Sequence, residues 1–244
     1  NCSNLKLVYN NSALNIGFNT NNGNVGSYAN SIILPSDDIQ GDYIFRTTNG
    51  TNYLIAYTGN DTDLILPESY NGKSYVINQR VFRENRNIKS VVISDSVTSI
   101  EENAFNKCES LESIIIPKYV SMLDQGAFKQ CSKLSKLIVD SNNIIYWSGD
   151  DGCIYQNYGS ILYMFPPSIT NYIMPESVIK VTDNYTKLWN NALQLKSITF
   201  NSKITGITSL WWDRSQHLIE EFLGPDTHPE YSFKNGIVYY EDRW

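Results

Sequence analysis

His217 and His228 are the only imidazoles in the chain, so a two-histidine metal site or a histidine base would have to use them. Their settings, Gln216-His217-Leu218-Ile219-Glu220 and Thr227-His228-Pro229-Glu230, lack the H-E-x-x-H spacing that puts two ligands and a base on one helix face. Asp61-Thr62-Asp63 and Asp150-Asp151-Gly152 gather acids in turns, but neither makes the D-x-D-x-D-G loop of a calcium site. No G-x-S-x-G elbow and no glycine-rich phosphate loop occurs, and none of the four cysteines forms a C-x-x-C pair. These residues predict a chain that is not an enzyme and holds no cofactor and no metal. Its function is then expected to lie on a surface rather than in a reaction centre.

The elements that would build such a surface repeat. Phe82, Phe105 and Phe128 are 23 residues apart, as are Ile88, Leu111 and Leu134, then Ile93, Ile116 and Val139, and finally Cys108 and Cys131. Each unit reads L-x-x-I-x-I, for example Leu111-Glu-Ser-Ile114-Ile-Ile116, and alternation of this kind makes a half-buried strand. Val97 with Ile100, and Val120 with Leu123, then mark a second short strand, followed by Ala104-Phe105 and Ala127-Phe128 in a short helical turn. Weaker copies place Leu195-Lys-Ser-Ile198-Thr-Phe200 in the same frame, with Trp189 and Trp212 in the phenylalanine position and Cys2 in the cysteine position. Between Val139 and Leu195 the period breaks around Asp151-Gly152-Cys153-Ile154-Tyr155 and Gly159-Ser160-Ile161-Leu162-Tyr163, a hairpin signature; Gly50 with Tyr53 and Gly236 with Tyr239 repeat it in part.

The run Asp95-Ser-Val97-Thr-Ser-Ile100-Glu-Glu-Asn-Ala104-Phe105-Asn-Lys-Cys108-Glu-Ser-Leu111-Glu-Ser-Ile114-Ile-Ile116-Pro117 resembles the BspA-like leucine-rich repeat. The resemblance covers about residues 60 to 244 and implies an extracellular or cell-surface protein that acts by adhesion or protein binding. The expected fold is mainly β with short helical turns, an α/β leucine-rich-repeat solenoid of right-handed stacked repeats of about 23 residues interrupted by β-hairpin insertions. One repeat cannot bury its own apolar face, so neighbours must supply the core and equivalent residues must form ladders. A single domain over 1–244 is expected: an atypical repeat and hairpin in 1–60, regular repeats in 61–140, a hairpin insertion in 141–174 and atypical repeats in 175–244. Both ends fall inside a module, which implies a piece of a longer array.

In this frame the fifth strand position points away from the core. It holds Val92, Ile115 and Ile138, with Thr199 in a later copy, flanked by Lys89, Glu112 and Lys136. That apolar stripe is the first candidate protein-binding surface, although β-branched residues also suit strands that bind nothing. Tyr146, Trp147 and Trp211 form a second candidate, since aromatic side chains combine contact area with a polar handle. Cys108 and Cys131 read as small buried thiols or as a disulfide between neighbouring rungs.

Bulk properties narrow the partner. The 244 residues carry 19 basic and 25 acidic side chains for a net charge of -6, without the basic footprint nucleic acid requires. No apolar run approaches a membrane span, so no membrane insertion is expected, and no signal peptide is visible. A protein partner is expected, a host extracellular or cell-surface protein or one on a neighbouring cell. A structural spacer carrying another domain of a larger secreted protein, and a carbohydrate-binding surface, are the alternatives.

Overall fold

Alternation of large apolar and polar residues over three or four positions favours short strands that bury one face each. The computed structural model describes residues 6–12, 29–182, 185–205, 221–225, 231–234 and 237–240, and here such strands stack into a mainly β solenoid. In chain order they are β1 (Leu7–Tyr9), β2 (Ser31–Ile33), β3 (Asp38–Gln40), β4 (Tyr43–Thr48), β5 (Thr51–Tyr57), β6 (Asp63–Ile65) and β7 (Tyr75–Ile77). There follow β8 (Ser90–Val92), β9 (Val97–Ile100), β10 (Ser113–Ile116), β11 (Met122–Leu123), β12 (Lys136–Val139), β13 (Tyr146–Ser148), β14 (Ile154–Gln156) and β15 (Ile161–Met164). The last are β16 (Asn171–Ile173), β17 (Lys180–Val181), helix α1 (Tyr185–Asn191), β18 (Ser197–Thr199), β19 (Glu221–Leu223), β20 (Tyr231–Lys234) and β21 (Ile237–Tyr240).

Parallel pairing builds two walls. One wall joins β6 to β8 and β10 to β12, with the Glu112 N–H donating to the Lys89 carbonyl at 3.3 Å where β10 meets β8. The other runs β11, β9, β7 and β5 in parallel and then turns antiparallel through β4 and β3. Register advances by 23 residues from Ser113 to Lys136 and from Ser99 to Met122, but by 27 from Asp63 to Ser90 and 26 from Asn171 to Ser197. The fixed period therefore belongs to the central rungs, and the outer ones absorb longer turns.

The expected helical turns are absent from these central rungs; α1 is the only helix among the described residues. The reason lies in where the backbone donors go. Phe82 N–H bonds to Ala104 C=O at 2.8 Å, Phe105 N–H to Ala127 C=O at 2.8 Å, and Lys107 N–H to Lys129 C=O at 2.9 Å, so these donors are spent between rungs rather than within a helix. Residues with positive φ interrupt the turns at Arg80 and Glu84, then Asn103 and Lys107, then Gln130, which no α-helix accommodates.

The core follows the ladders. Phe82 stacks on Phe105 with centroids 4.8 Å apart, and Phe105 on Phe128 at 5.5 Å. Cys108 and Cys131 are buried free thiols whose Sγ–H groups donate to the carbonyls of Phe82 at 3.2 Å and Phe105 at 3.0 Å. Two hairpins are inserted into the stack as plates with both faces buried. On β4 and β5, Phe45 and Leu54 face the main core while Ile44, Ile55 and Ala56 face a small cluster with Ile33. On β14 and β15, Ile154 and Met164 face the main core, and Tyr155 and Leu162 face a second core with Phe165, Tyr172, Leu188 and Trp189.

Candidate functional site

The outward residues of the first wall line up because parallel register pairs them rung by rung. Ile65 lies opposite Val92, and Ile115 opposite Ile138. Their inward neighbours, Leu64, Val91, Ile114 and Leu137, fill the core and leave the alternate positions facing water. Exposure is 70% at Ile65, 60% at Val92, 54% at Ile115 and 38% at Ile138. The structure thus brings together the stripe residues expected from sequence and adds Ile65 at its end. In the separate sheet of β16, β18 and β19, Ile173, Thr199 and Leu223 stand in register at the corresponding strand position, Ile173 being 75% exposed.

Polar ladders flank the stripe. At the first strand residue stand Asp63, Ser90, Ser113 and Lys136, all exposed. Ser90 Oγ donates to Asp63 Oδ1 at 2.6 Å, and this bond with that from Thr62 holds the Asp63 carboxyl below the usual carboxylate range. One residue earlier the ladder is Thr62, Lys89, Glu112 and Ser135, tied by Lys89 N–H to Thr62 C=O at 2.7 Å and Ser135 N–H to Glu112 C=O at 3.1 Å.

The aromatic candidates separate. Tyr146 is buried, which corrects its reading as a surface residue: its hydroxyl accepts the Leu123 N–H at 3.1 Å, and burial raises its pKa. Trp147 is half-buried and contacts the exposed ring of Tyr158 at 4.9 Å. Trp211, together with Cys2, Trp212, His217 and His228, lies outside the described residues.

A cleft of about 450 Å³ opens where the second wall ends at β11. Its floor is Tyr146 and Tyr163, whose hydroxyls take the place of a next strand: one accepts the Leu123 N–H, and the other donates to the Leu123 carbonyl at 2.5 Å. Glu101, Glu102 and Asp124 rim it with Lys187, whose Nζ lies 2.7 Å from Asp124 Oδ2. Burial, with the Asp124 charge nearby, raises the Glu101 carboxyl. Among the described residues no cluster of three His, Cys, Asp or Glu is placed to hold a metal, and no helix is long and apolar enough to cross a membrane.

Ile65 and Ile173 escaped the sequence template for identifiable reasons. Asp61 stands where the unit before Ile65 should have its leading leucine, and it accepts the Tyr57 hydroxyl at 2.8 Å instead. Ile169-Thr-Asn-Tyr172-Ile173-Met174 keeps the alternation but puts a tyrosine at the central inward position. Tolerating one non-aliphatic inward residue would have found the second of these.

Stacked parallel strands, aromatic and cysteine ladders and an open strand face define a leucine-rich-repeat solenoid. Residues 52–150 match the family model for the BspA type leucine rich repeat region in six copies, and this part of the chain belongs to that family. The crystal structure of the T. pallidum leucine rich repeat protein TpLRR is similar over 78% of this chain and 82% of that one, with TM-score 0.50 and 16% identity. A leucine-rich repeat protein from Bacteroides ovatus ATCC 8483 has 21% identity and TM-score 0.41 over 67% of this chain and 47% of that one. The pneumococcal vaccine antigen PcpA has 14% identity and TM-score 0.38 over 77% and 70%. At such identities the likeness to TpLRR is one of fold. No curated protein is similar in sequence to this chain.

Proposed function

We propose that this chain is an extracellular or cell-surface protein-binding module that works in adhesion, and that the stripe Ile65, Val92, Ile115 and Ile138 is its contact surface. The supporting observation is that four large aliphatic side chains are exposed at equivalent positions of two parallel strand pairs, β6 with β8 and β10 with β12, joined by the Glu112–Lys89 backbone bond, where leucine-rich repeats commonly keep polar residues. The match to BspA-type repeats supports the surface location and the partner class, a protein on a host or neighbouring cell.

Replacing Ile115 and Ile138 together with Thr keeps β-branching and so leaves the strands intact while removing apolar contact area. Capture of proteins from host or neighbouring-cell surface extracts is expected to fall by about tenfold or more, as the loss of a few methylene equivalents of burial requires. Unchanged capture by the double variant would end this reading.

A further inference from the structure

We infer that the protein partner of the stripe is a second copy of this chain, docked face to face about a two-fold axis that runs along the strands midway between β8 and β10. This rests on the interaction reading above and gives its partner an identity. The supporting observation is that three ladders on the face are self-complementary about one axis. Such an axis exchanges β6 with β12 and β8 with β10 while keeping each strand position over its equivalent. In the stripe, Ile65 then covers the partner's Ile138 and Val92 covers the partner's Ile115, so apolar meets apolar on every rung. In the ladder before it, Asp63 meets the partner's Lys136 and Ser90 meets the partner's Ser113. In the outermost ladder, Lys89 meets the partner's Glu112 and Thr62 meets the partner's Ser135.

The four charges of these ladders, Asp63, Lys89, Glu112 and Lys136, each meet an opposite charge across the axis, and hydroxyls meet hydroxyls. Lys89, Glu112 and Lys136 are all exposed and make no side-chain ion pair within the chain among the described residues. Two β faces stack about 10 Å apart, a separation that facing aliphatic side chains fill and that Lys and Glu side chains at the margin can span. On a cell surface the same contact joins copies carried by adjacent cells.

Sedimentation of the whole chain over a concentration series is expected to show the monomer giving way to a species of twice its mass. Lys89→Glu sets a second carboxylate against the partner's Glu112, and Glu112→Lys opposes two ammonium groups in the same place, so each variant alone is expected to lose at least about tenfold in self-association. An equimolar mixture of the two variants sets the two substituted positions against each other and the two native positions against each other, carboxylate against ammonium at both contacts, and is expected to recover dimer. A misfolded variant, or one altered only within its own chain, would not be rescued by mixing. A wild-type chain that stays monomeric, or a mixture that stays monomeric, overturns the proposal. If in that case Ile115→Thr with Ile138→Thr still lowers capture of a different surface protein, the interaction reading survives with a heterologous partner; if capture is also unchanged, both fall.

Discussion

Asn143 shows how single polar residues hold the rungs together. Its Nδ2 donates to the carbonyls of Pro117 at 2.9 Å and Val120 at 3.0 Å on the preceding rung, and its Oδ1 accepts the N–H groups of Ile145 at 2.9 Å and Tyr146 at 3.0 Å. An amide is the neutral side chain with two donors and two acceptor sites, so asparagine satisfies four backbone groups at a buried corner. Asn201 repeats the arrangement, with its Nδ2 donating to Val178 at 2.8 Å and its Oδ1 accepting from Lys203 and Ile204. Both asparagines therefore act as structural cement between rungs. Asn143→Ala strands buried backbone groups and is expected to cost about 2 to 4 kcal/mol in denaturant unfolding. The exposed neighbour Asn142, bonded only to Asp140 nearby, is expected to change stability by less than about 0.5 kcal/mol when replaced by Ala. Equal effects at the two positions would contradict the bridging role.

The plate of β14 and β15 meets the regular rungs in a tight contact at its leading turn. Gly152 has φ of 75°, its carbonyl accepts the Leu137 N–H at 3.1 Å, and a Cβ there would stand 2.6 Å from the Ser135 carbonyl oxygen. Neither the conformation nor the space admits a side chain. Gly152→Ala is expected to destabilise the protein by about 1 to 3 kcal/mol, and faster amide hydrogen exchange at Leu137 is expected to accompany it. A stable variant with unchanged Leu137 protection would show that the plate is anchored elsewhere. The hairpin around Gly152 was legible from Asp-Gly between alternating segments, as were the phenylalanine ladder and the stripe at Val92, Ile115 and Ile138. What hid were features set by contacts between rungs. The turns read as helical because Ala-Phe runs carry no mark that their N–H groups will bond sideways, and Tyr146 read as exposed because its role as a surrogate strand for Leu123 depends on the cleft beside it. The same dependence concealed Ile65, since its strand lacks a leading leucine of its own.

At the scale of the molecule, the tyrosines fasten both plates into the stack and so make the whole array sensitive to alkali. Tyr163 and Tyr146 close the main core beneath the cleft, and Tyr155 meets Tyr172 hydroxyl to hydroxyl at 3.2 Å in the second core while its own hydroxyl donates to Asp151. At the first plate Tyr57 packs against Phe82, and burial pushes its phenol up to about 12. Burial likewise raises Tyr75, Tyr155, Tyr163 and Tyr172 above the ordinary value of 10.0. A phenol that ionises at 10.0 in the unfolded chain but higher in the fold binds its proton more tightly when folded. Its contribution is complete below about pH 10 and is lost as pH rises toward and through the folded value. Because several such groups act together and neighbouring rungs support one another, stability is expected to fall steeply above about pH 10. Tyrosinate absorbance followed with far-ultraviolet circular dichroism during an alkaline titration is expected to show the buried tyrosines ionising only as the β signal disappears. Ionisation of all tyrosines near about pH 10 with the β signal intact would mean that the plates are open to water and that the two cores are not sealed by them.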